Sequence, residues 1–143
     1  MALSRNPGQL DEKALAVIQV ILVADVLVTG VPTYQASYPG MFKHLFGMID
    51  PHAMAGKPVI LAATGGSERH ALKVEHQLRP LLNYFRTATV ATAIYAASSE
   101  YNSLELRDAS MKQRILRAVD ELKPLMVPQY LTTQASETVS IIL

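Results

Sequence analysis

The sequence contains no cysteine and no tryptophan among its 143 residues. The absence of cysteine excludes disulfide bonds, thiol catalysis and metal sites built on thiolates. It is compatible with a cytoplasmic location, where proteins rarely use disulfides. An excess of charge of one sign is also absent, since 13 Lys and Arg residues against 12 Asp and Glu residues leave a net charge of +1. This balance gives no reason to expect a nucleic acid or an anionic membrane as a partner.

A long uninterrupted apolar run is missing as well. The longest candidate, residues 14–31, is interrupted by Gln19, Asp25 and Thr29, and it has neither the basic flank nor the cleavage site of a signal peptide. We interpret it as a helix that leads into a strand. Half of the residues are apolar, which is enough for one domain with a buried core.

Helices and strands are predicted to alternate along the chain. The predicted strands are short, apolar and rich in β-branched residues, as expected when both faces of a parallel sheet are covered. This alternation predicts an α/β fold with helices on both faces of the sheet. The predicted order is helix 8–24, strand 25–30, helix 39–49, strand 57–63, helix 67–86, strand 89–96 and helix 103–123.

Two predicted strand ends lead into loops that suit a ligand. The first loop is GVPTYQASYPG, residues 30–40, and the second is ATGGS, residues 63–67. Open α/β sheets bind their ligands outside the carboxyl ends of the strands. Glycine lets the backbone approach a ligand, and hydroxyl and N–H groups can donate to it. Tyr34 and Tyr38 add flat faces that can stack on a planar ring.

Both loops also have a simpler interpretation as turns between a strand and a helix, since Pro, Gly and Ser dominate turns for local steric reasons. Ser37 is expected to cap the helix that starts near Pro39, and Ser67 is a plausible cap for the next helix. Gly65 and Gly66 are harder to explain in this way, because paired glycines between strand and helix suit a close passage of the backbone over a ring.

These loops and the segments that follow them, VPTYQASYPGMFKHLFGMID and ATGGSERHALKVEHQLRPLL, resemble the NAD(P)H-dependent FMN reductases of flavodoxin-like fold. The resemblance runs over about residues 25–121, and it is strongest to the flavin reductases of two-component alkanesulfonate and methanesulfonate monooxygenases. It implies a three-layer αβα domain in which both loops contact FMN. The residues that it assigns to flavin binding are Pro32, Thr33, Tyr34, Gln35, Tyr38, Thr64, Gly65, Gly66 and Ser67.

The resemblance also implies an activity. An enzyme of this kind transfers hydride from NAD(P)H to FMN, forms a homodimer or homotetramer, and supplies reduced FMN to a partner monooxygenase. Because the flavin carries the chemistry, no side chain is expected as a catalytic acid or base. No metal site is expected either, because His70 and His76 are six residues apart and do not share a helical face well.

The amino-terminal segment departs from the family pattern. Members of the family begin with a strand and a Ser/Thr-rich glycine loop that holds the FMN phosphate, and the segment MALSRNPGQL has neither. We therefore expect a single domain over residues 1–128 that starts partway into the fold, and we expect weakened FMN binding. The alternative function is a catalytically inactive, truncated flavodoxin-like protein with an oligomerisation or structural role.

The tail, residues 129–143, differs in composition from the rest of the chain. Its residues 132–138 are mostly polar, and residues 139–143 are interpreted as a last short strand. This strand could fill the sheet edge beside the strand predicted at 25–30, in its own subunit or in a neighbouring one. A frayed tail outside the family pattern is the alternative.

Three residues are candidates for a subunit interface. Lys43 and Asp50 are seven residues apart, two helical turns, which places them on one helical face but too far apart to pair. In related flavin reductases a Lys and an Asp at this spacing pair across a subunit interface, and solvated charges are the alternative.

His76 is the third candidate. Pro80 has no N–H to donate to the carbonyl of His76, so regular helical pairing must fail there. In the sulfonate-linked reductases an inserted residue at this place makes a π-type turn at the tetramer interface, and His76 occupies the corresponding position. A simple proline kink is the alternative.

Overall fold

The computed structural model describes residues 12–102, 105–106, 108–130 and 139–142. The segment 1–10, the predicted start of the first helix at residue 8 and the polar run 132–138 lie outside these residues. In chain order the described elements are α1 (Glu12–Val23), β1 (Val26–Pro32), α2 (Gly40–Gly47), β2 (Pro58–Gly65), α3 (Arg79–Tyr84), β3 (Ala88–Thr89), β4 (Ile94–Ala97), β5 (Tyr101–Asn102), β6 (Glu105–Leu106), α4 (Ala109–Tyr130) and β7 (Val139–Ile142).

A parallel sheet lies at the centre of the structure. Its strands follow the order β3-β2-β1-β7. β4 pairs with the same edge of β2 as β3 does, but with the carboxyl-terminal half of β2. β1 and β2 run side by side over six residue pairs, from Leu27 with Val59 to Pro32 with Thr64. β7 pairs in parallel with β1 of the same chain. β5 and β6 form a separate antiparallel pair.

Alternate residues of the strands point to opposite faces of the sheet and form two cores. Leu27 and Leu61 pack on one face with residues of α1, α2 and α3, including the fully buried Phe46. Val26 and Ile60 pack on the other face with residues of α4. Full burial of side chains of this size stabilises the fold by about 1.5–3 kcal/mol each. The result is the three-layer α/β arrangement that the sequence predicts. No helix in the described part of the chain is long and apolar enough to cross a membrane.

The helix predicted at 39–49 is shorter in the structure. α2 ends at Gly47, and backbone bonds of i to i−3 spacing close its last turn. Asp50 therefore lies beyond the helix, where its Oδ1 accepts a hydrogen bond from the backbone N–H of His52 at 2.8 Å. The prediction that Lys43 and Asp50 share a helical face is wrong. The residue before a proline avoids helical geometry, and Asp50 precedes Pro51.

The helix predicted at 67–86 is divided into three parts. A 3₁₀ turn spans Glu68–His70, a π-helical turn spans Val74–Leu78, and α3 follows. The N–H of Arg79 donates to the carbonyl of Val74, which is the i to i−5 spacing of a π-helix. The predicted departure from α-helical geometry near His76 is confirmed, and a simple proline kink is wrong. Pro80 falls at the start of α3, where its missing N–H costs little.

The last predicted strand and helix also differ from the structure. Residues 90–93 interrupt the strand predicted at 89–96, and α4 begins at Ala109, after the predicted start of the last helix. The interruption has a tertiary cause, because Thr92 donates to the carboxylate of Glu121 from its backbone N–H at 2.7 Å and from Oγ1 at 2.6 Å. Arg79 of α3 also donates to the carbonyls of Val90 and Ala91, so side chains of α3 and α4 bond to backbone groups that a continuous strand would use in the sheet.

The contact between Thr92 and Glu121 predicts a dependence of stability on pH. Hydrogen bonds from the Thr92 hydroxyl and from its backbone N–H lower the pKa of Glu121 below its ordinary value of 4.5. A lowered pKa means that the contact contributes stability above pH 4.5, and that this contribution is lost as the pH falls through the pKa of the folded state.

We expect Thr92→Val to lower the thermal midpoint at pH 7 and to reduce its fall between pH 5 and pH 3. Thermal unfolding of both proteins over this range measures the effect, with Glu121→Gln as a second variant that removes the titration itself. Parallel pH profiles for wild type and Thr92→Val would contradict the assignment.

Candidate functional site

A pocket opens at the carboxyl ends of β1 and β2, where the two predicted loops meet. Its volume of about 480 Å³ falls within the range of small-molecule sites. The residues that line it are Thr33, Gln35, Ala36, Gly66, Ser67 and His70.

The first loop contains a tight two-residue turn. Tyr34 and Ser37 exchange backbone hydrogen bonds of 2.9 Å in both directions. The two residues between them, Gln35 and Ala36, have φ angles of 47° and 62°. Positive φ at both central positions is the pattern of a type I′ turn, which usually carries Asn and Gly. For residues with a Cβ this conformation costs roughly 1–2 kcal/mol each, so other contacts must hold the turn.

Two side chains of the π-helical region hydrogen-bond to the first loop, Gln77 at the turn and Lys73 at Pro32 before it. Gln77 accepts a hydrogen bond from Ser37 Oγ through Oε1, and its Nε2 donates to the carbonyl of Ala36 at 3.3 Å. Lys73 Nζ donates to the carbonyl of Pro32 at 3.1 Å. Lys73 is only 5% exposed, and this burial lowers the pKa of its ammonium group.

The second loop is joined to the first and to β4. Thr33 Oγ1 donates to the carbonyl of Thr64 at 2.8 Å, and the Tyr95 hydroxyl donates to the carbonyl of Ser67 at 2.7 Å. A Cβ on Gly65 would overlap the Tyr95 hydroxyl, so only glycine fits there without a shift. A Cβ on Gly66 would meet no atom within 4 Å, which leaves its face open at the pocket.

The structure brings only part of the predicted flavin-binding set to the pocket wall. Thr33, Gln35, Gly66 and Ser67 line the pocket. Sequence reasoning missed Ala36 and His70 as lining residues, although His70 follows Ser67 by three residues in the 3₁₀ turn. The predicted residues that do not line the pocket are Pro32, Tyr34, Tyr38, Thr64 and Gly65.

The structure gives the surroundings of the two loop tyrosines and of the two serines predicted as helix caps. Tyr38 packs against Phe42 at the edge of the core, with ring centroids 5.8 Å apart, while Tyr34 is 62% exposed. The predicted Ser37 cap is wrong, because Pro39 is at the cap position of α2. Ser67 is at the cap position of the 3₁₀ turn, as predicted, but its side chain makes no capping hydrogen bond. Ser37 bonds to Gln77 across the fold, and a tertiary contact replaces the expected local one.

The three predicted interface residues lie away from the pocket wall. Lys43 is exposed on α2, Asp50 closes the local turn with His52, and His76 is exposed on the π-helical turn. The salt bridges of Arg79 with Glu75 and of Lys123 with Asp120 involve neither Lys43 nor Asp50. Any pairing of Lys43 with Asp50 would therefore involve a second copy of the chain.

The donors at the pocket suit a planar, uncharged ring. Hydroxyl, amide and imidazole groups can bond to ring carbonyls and ring nitrogens, and no Lys, Arg, Asp or Glu is among the lining residues. Within the described ranges, no group of three or more His, Asp or Glu could hold a metal ion. The open face of Gly66 leaves space for a flat ligand beside the backbone. These features fit an isoalloxazine ring.

The sequence profile of the NADPH-dependent FMN reductases matches residues 3–102. An NADH-dependent FMN reductase, SfnF, from Pseudomonas fluorescens is 44% identical over 87% of this chain and 65% of its own length. An FMN reductase (NADPH) from Pseudomonas aeruginosa is 42% identical, again over 87% of this chain and 65% of its own length. The chain thus spans slightly less than two thirds of the length of these relatives.

Two solved structures share the fold. An oxidoreductase from Corynebacterium diphtheriae superposes with a TM-score of 0.73 at 38% identity, over 82% of this chain and 64% of its own. The apo form of an NADH:FMN oxidoreductase, EmoB, superposes with a TM-score of 0.72 at 28% identity, over 85% of this chain and 67% of its own. These likenesses, together with the parallel sheet, confirm the predicted flavodoxin-like fold.

Proposed function

Because this chain belongs to the NADPH-dependent FMN reductase family, we propose that it binds FMN in the pocket between the two loops and transfers hydride to it from NAD(P)H. The observation that carries the proposal is the pocket at the carboxyl ends of β1 and β2, lined by residues of both loops. Relatives of similar identity are named for NADH and for NADPH, so both nucleotides are retained as candidate donors.

The residues of the pocket would bind and orient the flavin. Thr33, Gln35 and Ser67 can hydrogen-bond to polar ring atoms, and Gly66 allows the ring to approach the backbone. Bound flavin would supply the hydride-accepting ring, so the protein needs to hold that ring in place and leave one side of it accessible to nicotinamide. The hydrogen bond from Thr33 to the carbonyl of Thr64 keeps the two loops together during these steps.

A fluorescence titration tests the flavin site. We expect FMN to lose fluorescence on binding, and the complex to oxidise NADH or NADPH with FMN as acceptor. Riboflavin should bind almost as tightly as FMN at the described pocket, since none of its lining residues is a Lys or an Arg. Absence of quenching at high protein concentration would remove the reductase function and leave a structural or oligomerisation role.

The proposal extends to partners and location. We propose a homodimer or homotetramer in the cytoplasm that passes reduced FMN to a flavin-dependent monooxygenase of sulfonate metabolism. The relatives named as NADH-dependent FMN reductases SfnF and SfnE support the reductase part of this assignment. The π-helical turn at Val74–Leu78 supports the sulfonate-linked branch, because the resemblance places such a turn at the tetramer interface.

The interface role of Lys43 and Asp50 gives a separate prediction. Lys43→Ala and Asp50→Asn should each weaken assembly by up to about fivefold, with a less than additive loss in the double variant. Asn at position 50 removes the charge but keeps an oxygen that can accept the N–H of His52, so the local turn is preserved. Light scattering over a dilution series measures the effect. A wild-type protein that stays monomeric at micromolar concentration would exclude the interface.

A further inference from the structure

The turn from Tyr34 to Ser37 has an unusual backbone for its sequence. Gln35 and Ala36 both adopt positive φ, a conformation that residues with a Cβ enter at a cost. Both residues also line the pocket. A strained backbone at a ligand site persists only when surrounding contacts determine it, so the contacts that hold this turn bear on the shape of the pocket.

Gln77 contacts the turn with both ends of its side-chain amide. Its oxygen accepts the hydroxyl of Ser37, and its nitrogen donates to the carbonyl of Ala36 at 3.3 Å. The two bonded groups come from successive residues of the turn, so one side chain restrains the turn's second half. The contact joins segments about 40 residues apart in sequence.

Lys73 restrains the other end of the same segment. Its ammonium group donates at 3.1 Å to the carbonyl of Pro32, the last residue of β1, which precedes the turn. Lysine is rarely buried unless its charge has partners, and Lys73 is almost completely buried. Lys73 directly precedes the π-helical turn, and Gln77 lies within it. The i to i−5 spacing of this turn therefore sets the direction in which the Gln77 side chain leaves the helix.

We propose that Gln77 and Lys73 are positioning residues for the first loop: Gln77 holds the Tyr34–Ser37 turn in its left-handed conformation, and Lys73 holds the strand end at Pro32 that leads into the turn. The proposal rests on the proposed function, in that the pocket is the flavin site. Neither residue lines the pocket, so they act through the turn and not by contact with the ligand.

A cycle of variants separates this role from general stabilisation. Gln77→Ala should weaken FMN binding about tenfold, since it removes two hydrogen bonds that oppose backbone strain. In an Ala36→Gly background, Gln77→Ala should weaken FMN binding by no more than about twofold, because glycine adopts positive φ without strain.

Glu75→Gln is the matched control, since Glu75 is in the same π-helical turn and bonds to Arg79 but not to the loop. It should lower the thermal midpoint and leave FMN affinity within about twofold of wild type.

Two readouts are measured, the FMN dissociation constant from fluorescence quenching and hydrogen exchange of the Tyr34 and Ser37 amides in the flavin-free protein. We expect Gln77→Ala to accelerate this exchange and Ala36→Gly to reverse most of the acceleration. Equal losses of FMN affinity in both backgrounds, or exchange that Gln77→Ala leaves unchanged, would overturn the proposal. If Gln77→Ala does not fold, Gln77→Glu serves in the same cycle, because it keeps an acceptor for Ser37 and removes the donor to Ala36.

Lys73 is tested in parallel with Lys73→Met, which keeps an unbranched side chain of similar length and removes the donor to Pro32. We expect weaker FMN binding and faster exchange of the same amides, and unchanged values of both would exclude Lys73 from the role.

Failure of the proposed function gives a different result. If wild type binds no flavin, the exchange measurements on the flavin-free protein still decide whether the residues hold the turn.

Discussion

Replacing Gly66 by valine should reduce FMN affinity by about 10- to 100-fold while the fold keeps its stability, because the new side chain enters the pocket and crowds the ligand. A Cβ at this position meets no protein atom within 4 Å, and the φ of Gly66 is outside the left-handed region, so the backbone and its surroundings accept a Cβ there. Fluorescence titration with FMN and thermal unfolding measure the two effects separately.

Two other glycines provide controls for this prediction. Gly47→Ala, at the end of α2, also adds a Cβ in open space but does not touch the pocket, so it should leave FMN binding unchanged. Gly65→Ala should behave differently from Gly66→Val, because its Cβ overlaps the Tyr95 hydroxyl and disturbs the hydrogen bond to Ser67. It should lower both stability and affinity. FMN binding of wild-type strength by Gly66→Val would show that the ring does not rest against this loop.

Removing β7 should have the largest effect on stability. Deletion of residues 139–143 leaves the edge of β1 unpaired from Val26 to Thr29, the residues that pair with Val139–Ile142. Loss of this backbone ladder should lower the free energy of unfolding by roughly 2–4 kcal/mol. An unpaired parallel edge also offers a template for a second chain, so we expect association at high concentration. Urea unfolding and light scattering measure the two results.

A length-matched control distinguishes strand pairing from the presence of a tail. In this control residues 139–143 are replaced by an alternating Gly and Ser sequence, which has a low preference for strands. We expect it to resemble the deletion in stability. If both variants unfold at the same urea concentration as wild type, β7 contributes nothing measurable to the sheet.

Much of the fold follows from local sequence patterns. Continuous apolar, β-branched runs predict the positions of β1 and β2 to within two residues, since a strand covered on both faces needs no polar alternation. The two loops that form the pocket were predicted because glycine and hydroxyl residues follow these strands directly. The π-helical turn was predictable for a covalent reason, because Pro80 lacks the N–H that an α-helix would require.

The details of the site depended on contacts between distant segments. No local pattern indicates that Gln77 bonds to Ser37, that Lys73 bonds to Pro32, or that the Tyr95 hydroxyl lies over Gly65. These pairs are about 30 to 41 residues apart, and their contact exists only once the helices pack on the sheet.

The sequence by itself therefore determined the parallel α/β fold, the two loops and the break in the helix before Pro80, because each depends on residue types within a few positions of one another. The tertiary structure decided which loop residues face the pocket, moved Tyr38 to the edge of the core and ended α2 before Asp50. It also gave backbone groups of residues 90–93 hydrogen-bond partners on α3 and α4. Each of these outcomes depends on which distant group satisfies a hydrogen bond or fills a space in the folded chain.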